Sequence, residues 1–535
     1  MRVLIQNNKN TVFALLLFLV VFVTIVFSQY RMGTSYVDSD MAAEMVLAEQ
    51  LNDEGVLLSR NWYYSTEIRI IGEPTLLALT QKIFPNNWHA ARVLAKAITM
   101  LIFAATVIYL CKVIGLGQYG LWAATMLICP FGFWHAFHSV FGPFYMTHMI
   151  YVNIILALII DIANHDRNKK VLWVFLVLCS FVAGLGGIRI LLMLIVPELV
   201  AVAVLWTKRI HDEKTIVFCN DWYLRLLEVS IIAAIAAAIG YMVNSLVIYK
   251  LYSIVTIKQT WNDFSLTALL DAWSWLLELF GFPVNDFFEE NVTILSMKGV
   301  ILGAGGLSMA LVVSFAFFRL KRIFNVLNNE KSFVYILTIS IIVIDGIVFA
   351  LGDGIGGSNG CYWLPVLSIL LLTVIIWIDS EIFVLKGTRI IVKILISLII
   401  FSTSACIFNI FSQTNYRHPI GIENVTKWLQ NNGYNNGYSS FWNGHIVEEI
   451  SNGEIEMWVV DDLQTLQITN HMLQSKKHDY SLPEGKIFIL TRDQELDYIS
   501  SIDGISEHIV YQDENGFAVL GFSDSDELDN YIDVK

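Results

Sequence analysis

The sequence predicts a mostly α-helical, polytopic membrane bundle of about eleven spans, followed by a C-terminal soluble α/β domain. Three observations lead there. Over 535 residues the mean hydropathy is +0.60, and only 15% of residues are charged, where soluble domains carry about a quarter. Apolar stretches long enough to cross a hydrocarbon core of about 30 Å recur as far as Phe411. From Gln413 onward the pattern turns mixed and polar, with 21 Asp and Glu against 7 Lys and Arg. The net charge of −13 therefore belongs to the tail, and a domain so acidic argues against nucleic acid as a partner.

The spans are expected near Thr11 to Ser28, His89 to Tyr109, Leu121 to Trp134, Phe144 to Ile162, Val171 to Gly184 and Ile188 to Leu205. They continue near Val229 to Ile248, Val300 to Phe318, Phe333 to Leu351, Tyr362 to Ile378 and Ile390 to Phe411. The third and fifth are short. Phe27-Ser28-Gln29-Tyr30-Arg31 lacks the small residues of a signal cleavage site, so the first span is expected to be a retained anchor. With the N-terminus in the cytoplasm, the inner segments hold sixteen Lys and Arg and the outer ones eight, as the positive-inside bias requires. An odd span number then places the long loops 30–88 and 249–298 and the tail outside. The expected division is a membrane domain over 1–412 and an acidic extracytoplasmic domain over 413–535 of a multi-pass cell-membrane protein.

Six cysteines lie in or beside apolar segments, none in the tail, and no Cys/His spacing fits a zinc site or a disulfide framework. In the first outer loop, Ser39 to Leu51 reads as a helix with Asp38 or Ser39 as N-cap. In the second, Leu266 to Phe280 carries an apolar stripe of the kind that lies in the membrane interface. In the tail, Glu423 to Gln430 reads as an amphipathic helix, and Glu454 to Val460, Lys486 to Leu490 and Gly516 to Phe522 read as strands. Asn431-Asn432-Gly433 and Asn435-Asn436-Gly437 read as turns.

Tyr36-Val37-Asp38-Ser39-Asp40 opens the first outer loop with two carboxylates close to the membrane surface. A carboxylate there can act as a general base toward an acceptor hydroxyl or hold a divalent cation. The alternative is an ordinary helix start, in which Asp caps orphan N–H groups and complements the helix dipole.

This arrangement resembles the C-type membrane glycosyltransferases, the polyprenyl-phosphate-sugar-dependent superfamily that includes protein O-mannosyltransferases and aminoarabinose transferases. The resemblance spans nearly the whole chain: a first span with its N-terminus inside, an acidic motif opening a long first outer loop, many spans and an external C-terminal domain. Glu73-Pro74-Thr75-Leu76 and Asn87-Trp88-His89-Ala90-Ala91-Arg92 are also similar to segments of that superfamily. It implies that Asp38 or Asp40 is the catalytic acid of the first loop. Tyr362-Trp363-Leu364-Pro365 resembles the Tyr-x-x-Pro element of a late span, with Cys361 where an arginine often precedes the tyrosine. A Trp-Trp-Asp motif is missing, which disfavours an oligosaccharyltransferase.

A lipid-phosphate donor needs a cation near the outer leaflet, and the planar fork of arginine can hold two phosphate oxygens. Gly186-Gly187-Ile188-Arg189 puts one at the start of the sixth span, where Arg189 could instead snorkel or pair with Glu198. Lys258 is a second donor-phosphate candidate. His135, His138 and His148 border the loop between the third and fourth spans, and with Asp38 or Asp40 they could contact substrate or metal. Interfacial hydrogen bonding is their alternative. Asp345 and Asp353 mark the ninth span. In the tail, Phe441-Trp442-Asn443-Gly444-His445 combines aromatics and amides of the kind that stack on sugars, or packs as a loop beside a core strand. Asn291-Val292-Thr293 fits a glycosylation sequon.

The resemblance implies inverting transfer of a hexosyl or pentosyl unit from a polyprenyl-phosphate donor to a hydroxyl of a glycan, lipid or protein acceptor, in a cell-envelope setting and with no firm cofactor. The competing class is a multi-span transporter or flippase of lipid-linked or small solutes using Asp345 and the histidines as a relay. It lacks visible repeats and paired interrupted helices. A degenerate member serving as a binding scaffold is the third class.

Overall fold

The computed structural model describes residues 2–65, 68, 70–142, 144–165, 170–213, 222–254, 261, 263–282, 293, 295–317, 328–352, 360–381, 386–411, 420–468 and 473–532. It divides into two compact units. One holds residues Met1–Phe27, Lys96–Val247 and Ile257–Ser412; the other holds Ser28–Ala95, Ile248–Thr256 and Gln413–Lys535. The first-loop residues are thus grouped with the C-terminal domain.

The first unit is helical. Among the described residues eight helices are long and apolar enough to cross a membrane, and the protein is a multi-pass membrane protein. The remaining three expected spans differ in form. Val171 to Gly184 is a shorter apolar helix, Lys170–Leu185, and the last is helix Lys386–Phe411, with its apolar stretch over Lys393–Phe408. The third is interrupted. Its helix covers only Gly120–Ile128, about 14 Å at 1.5 Å per residue. Cys129 then turns extended (φ −74°, ψ 132°) ahead of Pro130, because a residue before proline is driven from the α region. The chain restarts as the short helix Phe133–His135 and a π-helical stretch Ala136–Phe141.

Helices Lys170–Leu185 and Trp222–Val243 cross at small residues: Gly184 lies against the Ala237 carbonyl and Gly240 against the Phe181 carbonyl. With no side chain between them the two backbones come into direct contact, the packing that lipid surroundings favour. Helix Leu266–Glu278, with Ser265 as its N-cap, buries Leu269, Ala272 and Leu276 and leaves Leu266 and Leu270 exposed. Its Trp273 indole donates to the Ile342 carbonyl at 2.9 Å, and its Ala272 carbonyl accepts from Trp363 Nε1 at 2.9 Å.

The second unit contains the tail domain, a six-stranded sheet in the order β5-β4-β3-β6-β8-β7, where β3 is Asn436–Ser440, β4 Glu456–Asp462, β5 Gln467–Ile468, β6 Ile487–Arg492, β7 Ile509–Gln512 and β8 Phe517–Phe522. Strands β3, β4 and β6 are parallel, and the outer pairs are antiparallel. The expected helix appears as Ile422–Asn431, and the three expected strands appear as β4, β6 and β8. Asn435-Asn436-Gly437, expected as a turn, instead opens the central strand β3. Gly437 lies under the Phe488 ring, where a Cβ would come within 2.5 Å of it, so a glycine that reads as a turn signal serves close packing. Tyr438, Trp458, Ile487, Ile489 and Leu520 form the core. A two-residue parallel pair, β1 (Tyr63–Tyr64) with β2 (Ser253–Ile254), also belongs to this unit.

Candidate active site

In the second unit, the first-loop acids stand at a helix start. Asp38 is the N-cap of helix Ser39–Glu54: its Oδ1 accepts the Met41 N–H at 3.0 Å, and Asp40 lies in the first turn. The helix ends at Gly55 in the left-handed region (φ 66°). Both acids are half-buried. The N–H groups and dipole of a helix N-terminus favour acidic side chains at these positions.

That helix is held from the side by a buried ion pair. Arg92 Nε and Nη2 donate to the two carboxylate oxygens of Glu449 at 2.7 and 2.6 Å, and Nη2 also donates to the Met41 carbonyl at 2.9 Å. Arg92 is 3% exposed, and Glu44 and Glu73 add their charges to that of Glu449 around it. A carbonyl one residue past Asp40 is thereby tied to helix Phe441–Ile450 of the tail domain. Beside it the Trp88 N–H donates to Asn452 Oδ1 at 2.8 Å. Arg92 stood in a sequence segment singled out for its family likeness; Glu449 carried no sequence signal.

A second acidic cluster lies on the same pair of helices. Burial, with the nearby charges of Glu448, Asp53 and Glu456, pushes the Glu49 carboxyl up to about 7. Burial pushes Glu448 up to about 8. Glu456 goes the other way: bonds from His478 and Lys477 outweigh its burial and lower it.

In the membrane unit, Gly187 (φ 113°) turns the chain between helix Lys170–Leu185 and the next helix, which begins at Arg189. The half-buried Arg189 guanidinium lies over two tyrosine rings, 5.1 Å from the centroid of Tyr145 and 5.7 Å from that of Tyr362. Such stacking favours the cation, and most strongly away from water. Tyr362 lies in the 3-10 run Gly360–Val366. The Gly360 N–H donates to Glu278 Oε2 at 2.9 Å, and a Cβ on Gly360 would come within 2.8 Å of the Trp275 carbonyl. Cys361 donates its thiol to the Tyr145 hydroxyl at 3.4 Å.

Tyr145 is the centre of this group and drew no attention in the sequence. Its ring meets His138 edge-on at 5.3 Å and His148 at 6.3 Å. The structure thus gathers Arg189, Tyr362, His138 and His148 around one tyrosine. His135 is separate from them in environment: fully buried, 4.9 Å from the Phe131 ring, its Nδ1 accepts the Phe131 N–H at 3.3 Å. Glu198, weighed as a partner for Arg189, accepts a hydrogen bond from the Ser230 hydroxyl. Asp345 is buried, and among the described residues neither of its carboxylate oxygens has a hydrogen-bond partner. Lys258, Asp353 and the Asn291 sequon lie outside the described residues. Among the described residues, no group of three or more His, Cys, Asp or Glu side chains gathers as a metal-ligand set.

No protein-family model and no curated protein sequence matches the chain. Solved structures do. ArnT from Cupriavidus metallidurans bound to undecaprenyl phosphate is similar over 94% of this chain and 97% of its own, at 12% identity and a TM-score of 0.54. The Archaeoglobus fulgidus oligosaccharyltransferase AglB in complex with an inhibitory peptide and a dolichol-phosphate is similar over 91% of this chain and 70% of its own, at 12% identity and a TM-score of 0.47. The ArnT likeness covers both chains almost end to end and shows that the two share a fold.

Proposed function

We propose, from the premise of that shared fold, that the protein transfers a sugar from a polyprenyl-phosphate donor to a hydroxyl of a glycan, lipid or protein acceptor, with inversion, at the outer membrane surface. The observation that carries the reading is the Arg189 guanidinium on Tyr145 and Tyr362. It is a permanent cation, half-buried in a membrane bundle and fixed in place by two aromatic faces, as recognition of a lipid-borne phosphate demands. The ArnT neighbour is described as bound to undecaprenyl phosphate. The excess of Lys and Arg in alternate loops supports an N-terminus in the cytoplasm and a tail outside.

In the reaction, Asp38 or Asp40 takes the proton of the acceptor hydroxyl as its oxygen attacks the anomeric carbon. The bond from that carbon to the phosphate oxygen breaks with inversion, and the polyprenyl phosphate leaves with the electron pair. Arg189 stabilises the charge that develops on the leaving phosphate. Asp38 is oriented for this work by the bond its Oδ1 accepts from the Met41 N–H, and Asp40 follows it in the first turn of the same helix.

The test is single replacement of Asp38 and Asp40 by Asn, with transfer followed from a radiolabelled polyprenyl-phosphate sugar. Loss of a general base costs about 10²–10⁴-fold in rate. Full activity in both variants overturns the assignment. Arg189→Gln is expected to lower the rate about 10²–10³-fold, with Arg189→Lys between it and wild type because a lysine keeps the charge without the fork. Buried Asp345 is what favours a transporter instead; Asp345→Asn that stops solute movement in proteoliposomes, with no sugar transfer by wild type, would establish that class.

A further inference from the structure

In the tail domain, β3 and β6 are adjacent and parallel, yet their onward connections diverge. The chain leaving β3 forms helix Phe441–Ile450 and leads to β4 on one side. The chain leaving β6 forms helix Gln494–Ile499 and leads to β7 and β8 on the other. Such a divergence opens a crevice beyond the carboxyl ends of the two strands, the place where open α/β sheets bind ligands.

The residues at this switch point are built for contact. Trp442 is 66% exposed, with its ring braced edge-on by Phe441 at 5.3 Å. Below it the two loops are tied together: Glu495 Oε2 accepts the Arg492 N–H at 2.9 Å and the Asn443 amide at 3.4 Å, and that amide also reaches Ser440 Oγ at 3.3 Å. Asp493, 62% exposed at its side chain, adopts φ 52° and ψ −118°, a conformation sparsely populated by residues other than glycine and frequent at ligand clamps. In the turn before β8, Gly516 presents no side chain to the Asp493 carboxylate, whose Oδ1 occupies the space a Cβ there would need. At the same strand ends the partly exposed Arg492 Nε pairs with Asp493 Oδ2 at 3.3 Å, and an exposed aromatic face together with carboxylate and guanidinium groups matches one ligand chemistry well. A pyranose presents C–H groups on a ring face and hydroxyls, each both donor and acceptor, around its edge.

We propose that the carboxyl ends of β3 and β6 form a saccharide-binding subsite, with Trp442 as the stacking platform and Asp493 and Arg492 as hydroxyl-binding partners. The identification of this saccharide with the acceptor rests on the transfer reaction proposed above; the binding itself does not. A membrane-anchoring role for Trp442 is disfavoured by the charged Arg492 and Asp493 at the same strand ends, because interfacial anchors sit at the edge of apolar surfaces.

The test uses the full chain in lipid nanodiscs, free of sugar-based detergent. The probes are fluorophore-labelled linear tetrasaccharides of hexose and of N-acetylhexosamine, read by anisotropy. Wild type is expected to bind at least one of them, Trp442→Ala to weaken that binding at least tenfold, and Trp442→Tyr to stay within about threefold. Tyr480→Ala, at another exposed aromatic of the domain, should change nothing, and equal melting of all variants guards against misfolding. Failure of wild type to bind either probe, or equal binding by Trp442→Ala, overturns the proposal. So does a loss of fluorescence quenching by brominated lipids in Trp442→Ala with sugar binding intact, since that marks a membrane anchor. Trp442-dependent binding without any transfer activity keeps the subsite and sinks the transfer reading. Transfer whose acceptor KM ignores Trp442→Ala sinks the acceptor assignment.

Discussion

Replacing Arg92 by methionine removes a side chain that joins the start of helix Trp88–Val113, the first-loop helix and the tail domain within one unit. Breaking a buried pair by deleting one partner costs about 3–5 kcal/mol, because a charge is left buried without compensation. Here the loss is lopsided. Arg92 faces Glu449, Glu44 and Glu73, all of them buried, so its removal takes an attractive charge away from three carboxylates at once and belongs at the upper end of that range. Glu449→Gln leaves Arg92 with two acids and an amide oxygen that still accepts, a loss nearer the roughly 1.5–3 kcal/mol of a hydrogen bond to a charged group. At about 2–4 °C per kcal/mol for a unit of this size, Arg92→Met should lower the melting temperature of the full chain by roughly 10–20 °C. Glu449→Gln should lower it by roughly 3–12 °C. Differential scanning fluorimetry in detergent reads both. Equal shifts, or a larger shift for Glu449→Gln, would refute the reasoning that Arg92 balances several acids at once.

Three more outcomes are expected. Asp38→Asn should melt within about 0.5 kcal/mol of wild type, since Asn caps as well as Asp, whereas Asp38→Ala should lose about 1 kcal/mol; equal destabilisation by both would show that the cap bond to Met41 contributes nothing. Gly360→Ala should destabilise by about 1–3 kcal/mol, since its Cβ meets the Trp275 carbonyl at 2.8 Å, and an unchanged melt would mean that Glu278 and Tyr362 are not held by that close approach. Glu49 and Glu448, raised to about 7 and about 8, favour the folded unit fully below the usual carboxylate range and lose that contribution as pH rises through 7 to 8. Melting temperature should therefore fall from pH 6 to pH 9, less steeply in Glu49→Gln, and a variant that keeps the full wild-type slope would discount Glu49.

Periodic features were legible in the amino-acid order. The cap at Asp38, the first-loop helix, most of the membrane helices and strands β4, β6 and β8 each depend on neighbours within a few residues, where propensity and hydrophobic period act. β3 was hidden because Asn436-Gly437 signals a turn locally, while pairing to β4 and β6 outweighs that preference. The short third membrane segment was misjudged in extent, since summed hydropathy takes no account of the break that Pro130 imposes.

The candidate chemistry divides along the same line. Two carboxylates at a loop helix start and an arginine at the edge of a span are visible as residue types in their places, because burying or exposing such charges has a cost that composition alone reveals. Which side chains hold them is a matter of contacts far apart in the chain. Arg92 meets Glu449 across 357 positions, and Tyr145 meets Cys361 across 216. Hydrophobic period fixes the face a residue turns inward, but only the packed helices and sheet decide its partner there. Tyr145, Glu449 and the divergence of β3 and β6 beside Trp442 therefore emerge from the tertiary structure, while the acids, the arginine and the membrane class were already written in the order of residues.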